Sequence, residues 1–150
     1  MSRSRKRVET LASIAAIRAV AARLAEAKCV AADRDVIAAK NKQQHQQDHL
    51  HLTVRGWEDA ISASTFDPAN NAFWGYAINK AVAEVETAGD DVAQKDSILS
   101  EARTHMSAMI ANEQCADSLL SKARKKRFRE LEDGHLAEQA DRITRLDMHR

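Results

Sequence analysis

Thr65-Phe66-Asp67-Pro68-Ala69-Asn70-Asn71 contains the only proline of the chain. Asp before Pro, followed by two Asn, is turn chemistry, because proline fixes its own φ and Asn tolerates left-handed backbone. Proline also biases the preceding residue away from the α region, so a helix arriving from upstream stops here. Long tracts with few helix breakers lie on both sides. The stretch therefore predicts an all-α chain folded as a long antiparallel two-helix coiled-coil hairpin, with its turn near residues 64–72. Arm 1 covers about 4–63 and arm 2 about 73–133. Gly134 is read as a break before a short amphipathic helical tail over 135–147.

Composition supports this. Charged residues are 30% of the 150, aromatics only 4%, and much of the apolar content is alanine. Such a chain with few Gly and Pro reads as long helices or a coiled coil. A hairpin of two helices has one seam and no thick core, which leaves little interior for an enclosed active site. Net charge is +1, so bulk charge selects no partner. The basic start meets an alanine-rich amphipathic tract, with no signal-peptide core and no apolar run long enough to span a bilayer. Cys29 and Cys115 lack a CxxC spacing and read as reduced thiols serving as small packing residues in a cytoplasmic protein.

Arm 2 is the clearest periodic segment. Steps of three and four give Ile78, Ala81, Val85, Ala88, Val92, Lys95, Leu99, Ala102, Met106, Met109, Glu113, Ala116, Leu120 and Ala123, of which only Lys95 and Glu113 are polar. Large and small residues alternate along this seam, which lets two helices interlock closely. Beyond Ala123 the apolar positions Phe128 and Leu131 run one residue out of phase, and Leu136, Ala140 and Ile143 follow. In arm 1, Val8, Leu11, Ile14, Ile17, Val20 and Leu24 recur mostly by threes, and each such step falls about 60° short of a full turn. Their stripe drifts around the helix. One partner helix cannot cover it, so either the C-terminus wraps round or another protein packs there. Residues 40–49 lack aliphatic side chains, and Leu50, Val54, Trp57 and Ile61 then restore a seam.

Folding the arms at Pro68 places residue i near residue 136 minus i. Segment 40–49 then faces 87–96, predicting a loosely packed waist. Arg3, Arg5, Lys6 and Arg7 land beside Lys122, Arg124, Lys125, Lys126, Arg127 and Arg129, with Glu9, Glu130 and Glu132 as offsets. The end carrying both termini thus concentrates positive charge in a nearly neutral chain. It is either a solvated helix end or a docking tip for an acidic or polar surface. At the other end, Trp57, Phe66, Phe73, Trp74 and Tyr76 gather around the turn. They form either an apolar plug or a contact site, since Trp and Tyr are common interface anchors.

The remaining chemistry is sparse. His45, Asp48 and His49 share a helix face at a spacing that could ligate a metal, with Asp90 and Asp91 opposite; an exposed Gln/His-rich face explains the same residues without one. The chain carries no GxxxxGK[ST], GxGxxG or GxSxG pattern. A non-enzymatic protein without a cofactor is expected. A nucleic-acid-binding coiled coil using the basic end and a generic dimeric scaffold are the other readings; the first lacks aromatics among its cations apart from Phe128.

Leu119-Leu120-Ser121-Lys122-Ala123-Arg124-Lys125-Lys126-Arg127-Phe128-Arg129-Glu130-Leu131-Glu132, followed by Glu138-Gln139-Ala140-Asp141, resembles the C-terminal cadence of the FliJ/YscO family, the coiled-coil stalk proteins of flagellar and virulence type III secretion. The resemblance covers both arms in outline and 115–143 in residue detail. The Gln/His segment 43–51 and the tryptophans near the turn depart from it. The resemblance implies a stalk whose open end enters the pore of a hexameric secretion ATPase. The tip would comprise Arg3, Arg5, Lys6, Arg7, Leu11, Ile14, Lys122, Arg124, Lys125, Lys126, Arg127 and Arg129. The aromatic end, with Trp57, Phe66, Phe73, Trp74 and Tyr76, would meet the export gate protein or export chaperones.

Overall fold

A computed structural model describes residues 3–63 and 67–148. They form two α-helices, α1 (Arg3–Ala63) and α2 (Pro68–Asp147), packed antiparallel as an all-α hairpin. The helices contribute to two compact units, one joining Met1–Ala25 to Met106–Arg150 and the other spanning Glu26–His105.

The proline acts as a start rather than as the middle of a loop. Pro68 is the first residue of α2, where its missing N–H costs nothing. Asp67 caps the helix: its Oδ1 accepts from the Ala69 N–H at 3.1 Å, and its carbonyl accepts from the Asn71 N–H at 2.9 Å. Asn70 and Asn71 therefore lie in the first helical turn, and the expected turn over 64–72 contracts from its C-terminal side. Residues 64–66, including Phe66, lie outside the described residues. At the far end, α2 passes through Gly134 without interruption, so 135–147 extends arm 2 instead of forming a separate tail. One glycine costs a helix about 1 kcal/mol relative to Ala, too little to break a favourable tract.

The register follows the sequence expectation. Arg23 pairs with Glu113 in the first unit and Asp33 with Arg103 in the second, and in each pair the residue numbers add to 136. All fourteen positions of the arm 2 seam are buried or half-buried. Glu113 is tolerated there because its carboxylate accepts from the Arg23 guanidinium at 2.7 Å. In the first unit Leu120 packs with Ala15 and Ala116, flanked by Val8, Leu11 and Ala12. In the second, Leu99 packs with Ala32 and Val36, flanked by Cys29 and Ala102. In both clusters a leucine of α2 packs against a buried alanine of α1, Ala15 in the first and Ala32 in the second.

Between Ala15 and Ala39 the buried positions of arm 1 are alanines and Val36, and most of its large residues there lie outside. Ala15, Ala22, Ala25, Ala32 and Ala39 are buried with Val36, whereas Ile17 and Val20 are each 68% exposed and Ile14 and Leu24 are exposed as well. The drift of the three-residue steps carries these side chains away from the seam after Leu11. The C-terminus does not wrap over them, because α2 stays helical and every described residue from 128 to 146 is exposed. Phe128 and Leu131 do not continue the packing either. The next seam position after Ala123 is Arg127, which is half-buried, while Phe128 faces solvent.

The segment expected to form the waist lies in the second unit, where Ala88 is nevertheless buried. Gln43, Gln46 and Gln47 occupy half-buried positions that aliphatic residues would fill elsewhere. A groove of about 700 Å³ opens there between Lys42 and Gln46 of α1 and Lys80, Glu84, Thr87 and Asp91 of α2.

Candidate docking surfaces

The first unit brings cations of both helices together. Arg3 and Arg7 on α1 and Lys122 and Lys126 on α2 line one groove of about 530 Å³, with Ser4, Leu119 and Ala123 in its walls and Glu130 as its carboxylate. Helix geometry explains the selection: Arg3 and Arg7, like Lys122 and Lys126, are four residues apart and so share a face. The other tip candidates lie elsewhere. Arg5 turns to Glu9, its Nε donating to Oε1 at 2.9 Å. Lys6 is exposed outside the groove. Arg124, Lys125 and Arg129 surround the exposed ring of Phe128 together with Glu132 in a second, shallower depression. Arg127 sits half-buried on the seam. Leu11 belongs to the apolar cluster around Leu120, and Ile14 is 41% exposed.

The aromatic end of the second unit holds its rings in two environments. Trp74 lies across Gly56, where an added Cβ would stand 2.8 Å from its Cη2 atom. Trp57 donates its indole N–H to Asn71 Oδ1 at 3.2 Å, fastening the end of α1 to the first turn of α2. Both tryptophans are half-buried and close the hairpin. Phe73 and Tyr76 are 62% and 70% exposed and, three residues apart, present one face. Phe73 meets Trp74 edge-on with ring centroids 5.7 Å apart. The plug is therefore made by the two tryptophans, and the rings left exposed are those of Phe73 and Tyr76. Gly56 was not singled out by sequence, and Asn71 only as a turn residue and not as the acceptor for Trp57; a helical glycine gives a signal only once its neighbour is known.

Two other candidates change in the structure. Asp48 accepts from the Gln44 side chain at 2.9 Å, and His45 and His49 are exposed. Among the described residues no group of three or more His, Cys, Asp or Glu is placed to hold a metal ion. Cys29 packs beside the cluster around Leu99, but Cys115 is exposed, so only the first is a packing residue. Cys115 falls two residues beyond the seam position Glu113, and two residues carry a helical side chain about 200° round the axis.

Among the described residues, no helix is long and apolar enough to cross a membrane. Compared with family models, curated proteins and solved structures, the chain matches none of them.

Proposed function

We propose that the chain is a non-enzymatic stalk component of a type III secretion or flagellar export apparatus. It would act in the cytoplasm, couple a hexameric export ATPase to the export gate protein, and escort export chaperones. The observation that carries this reading is the groove in which Arg3 and Arg7 meet Lys122 and Lys126. It sets positive charge from both arms at the end that the FliJ/YscO resemblance assigns to the ATPase. Two further features support it. Large aliphatics on the outer side of α1 suit a helix enclosed by a ring, and the exposed pair Phe73 and Tyr76 suits a contact at the turn. The action is mechanical and allosteric, with the tip promoting ring assembly and the hairpin transmitting its state.

The test is charge reversal at the groove. Lys122→Glu with Lys126→Glu replaces two exposed side chains, so helicity by circular dichroism should stay unchanged. Stimulation of the host's secretion ATPase should fall at least tenfold, and Arg5→Glu, outside the groove, should have a small effect. Full stimulation by the double variant would refute the assignment. A generic scaffold would show no stimulation with the wild-type chain. A nucleic-acid binder would instead shift a random duplex at moderate salt and lose that shift steeply as salt rises.

A further inference from the structure

The groove of the first unit has an order along its length as well as a charge. Arg3, Arg7, Lys122 and Lys126 line it, and all four are exposed. Among the described residues none of the four is in an ion pair, whereas Arg5, Arg23 and Arg103, outside the groove, pair with Glu9, Glu113 and Asp33. The hairpin register fixes where each groove cation stands. Arg23 and Glu113 of this unit have numbers that add to 136. On that register Arg7 stands level with Arg129 of α2, and Arg3 with Asp133, to which it is not paired. The four cations therefore follow one another at the levels of residues 122, 126, 129 and 133. Steps of four, three and four cover about 16 Å at 1.5 Å per residue. They are also the steps at which residues return to one face of a helix.

We infer that the groove receives an acidic helix of a partner protein, about three turns long, with carboxylates at i, i+4, i+7 and i+11. Laid along the groove, such a helix brings one carboxylate to each cation. Arg3 and Arg7 suit this role because a guanidinium can grip a carboxylate with two N–H groups. Leu119, 47% exposed, adds an apolar wall. That wall favours a helix bearing apolar and acidic residues over a phosphate chain, whose contacts are polar and charged.

Glu130 also lines the groove, and its level falls between those of Arg7 and Arg3. It stands inside the ladder of cations and repels incoming carboxylates, which keeps the docking weak and reversible. The owner of the helix rests on the stalk reading, under which it belongs to the secretion ATPase. The preference for spaced carboxylates is a property of the groove alone.

Fluorescence anisotropy of the whole chain with labelled synthetic peptides tests it without an ATPase. Both peptides are alanine-rich and held helical by side-chain staples. One carries four glutamates at steps of four, three and four. The other has the same composition with steps of two, five and two, which divides the glutamates between opposite faces. The matched peptide should bind with a dissociation constant on the order of 100 μM at low salt, and the control at least about fivefold more weakly. Lys122→Gln with Lys126→Gln should weaken the matched peptide about tenfold, Arg5→Gln should leave it within about twofold, and Glu130→Gln should tighten it about threefold. Equal binding of the two peptides, binding of neither at about 2 mM, or unchanged binding by the Lys122/Lys126 variant would each overturn the proposal. So would tighter binding of a single-stranded oligonucleotide with four phosphates. Selective peptide binding by a chain that fails to stimulate the secretion ATPase would sink the stalk reading alone, and stimulation without peptide selectivity would sink this inference alone.

Discussion

Two glycines of the second unit, Gly56 and Gly75, allow a paired test of how the turn end is packed. Both are inside helices, so alanine should gain about 0.5–1 kcal/mol at either position from reduced backbone entropy alone. Nothing lies within 4 Å of a Cβ built on Gly75. Gly75→Ala should therefore stabilise by that full amount, raising Tm by about 1–4 °C for a chain of this size. At Gly56 the same Cβ would meet Trp74 at 2.8 Å from Cη2 and 3.1 Å from Cζ3. The indole has to tilt outward, and overpacking of this kind costs about 1–3 kcal/mol. The opposing terms leave Gly56→Ala between near neutral and about 2 kcal/mol destabilising. The two variants should differ by about 1–3 kcal/mol in thermal melts followed by tryptophan fluorescence. Replacing Trp74 by Leu removes the ring, so Gly56→Ala in that background should become stabilising, a coupling that a double-mutant cycle isolates. Equal stabilisation by Gly56→Ala and Gly75→Ala in the wild-type background would show that Trp74 does not rest on Gly56.

The neighbouring leucines at 119 and 120 test the register. Leu120→Ala should cost about 2–4 kcal/mol because that side chain is 8% exposed, while Leu119→Ala, at 47%, should cost under about 1 kcal/mol in denaturant unfolding. Amide exchange should be faster over 40–49 and 87–96 than over the apolar segments around Leu99; uniform protection would remove the waist. Asp67→Ala should destabilise by about 1 kcal/mol through loss of the cap on α2, and Asp67→Asn should retain most of it. The Arg23–Glu113 pair has an arginine 62% exposed, so a double-mutant cycle should give no more than about 1 kcal/mol, declining with added salt.

Much of the fold could be read from residue order because one strict repeat governs it. The steps of three and four from Ile78 to Ala123 name the buried face of α2, and Pro68 names the fold-back. With those two points fixed, the partner of almost any residue follows. The errors arise where local signals compete with that repeat. Phe128 and Leu131 are more hydrophobic than Arg127, yet the helix keeps its phase and seats Arg127 on the seam, since realigning would require a change of supercoil that two side chains do not supply. Gly134 and the two Asn after Pro68 are turn residues in isolation, but flanking helix formers and the Asp67 cap outweigh them. The division of rings at the turn was only partly legible. Trp74 lies four residues before the seam residue Ile78 and so shares its face, but how closely its ring could approach α1 depends on Gly56, eighteen residues earlier in the chain.

The exposed aliphatics of α1 bear on the proposed function beside the cationic groove. A helix that needed only α2 would place Ile17, Val20 and Leu24 on the seam and alanine outside, because each large side chain buried is worth about 1.5–3 kcal/mol. This helix does the reverse. Alanines at the seam let the backbones approach closely but bury little area, so the hairpin gives up stability along its own interface. The large residues, set three and four apart on the outer face, have the spacing that a second helical contact requires. A phosphate-binding surface has no use for that face, since phosphate contacts are polar and charged, whereas a dimeric scaffold would pair through it. The proposed stalk, enclosed by other subunits, would use it as well. On the stalk proposal, Ile17→Ser with Val20→Ser should leave the isolated hairpin as stable as wild type within about 0.5 kcal/mol, yet weaken its binding to the secretion ATPase; on the scaffold reading the same changes should abolish self-association instead. If the same pair of changes unfolds the hairpin, those side chains are part of its own core and the stalk argument loses its apolar contact.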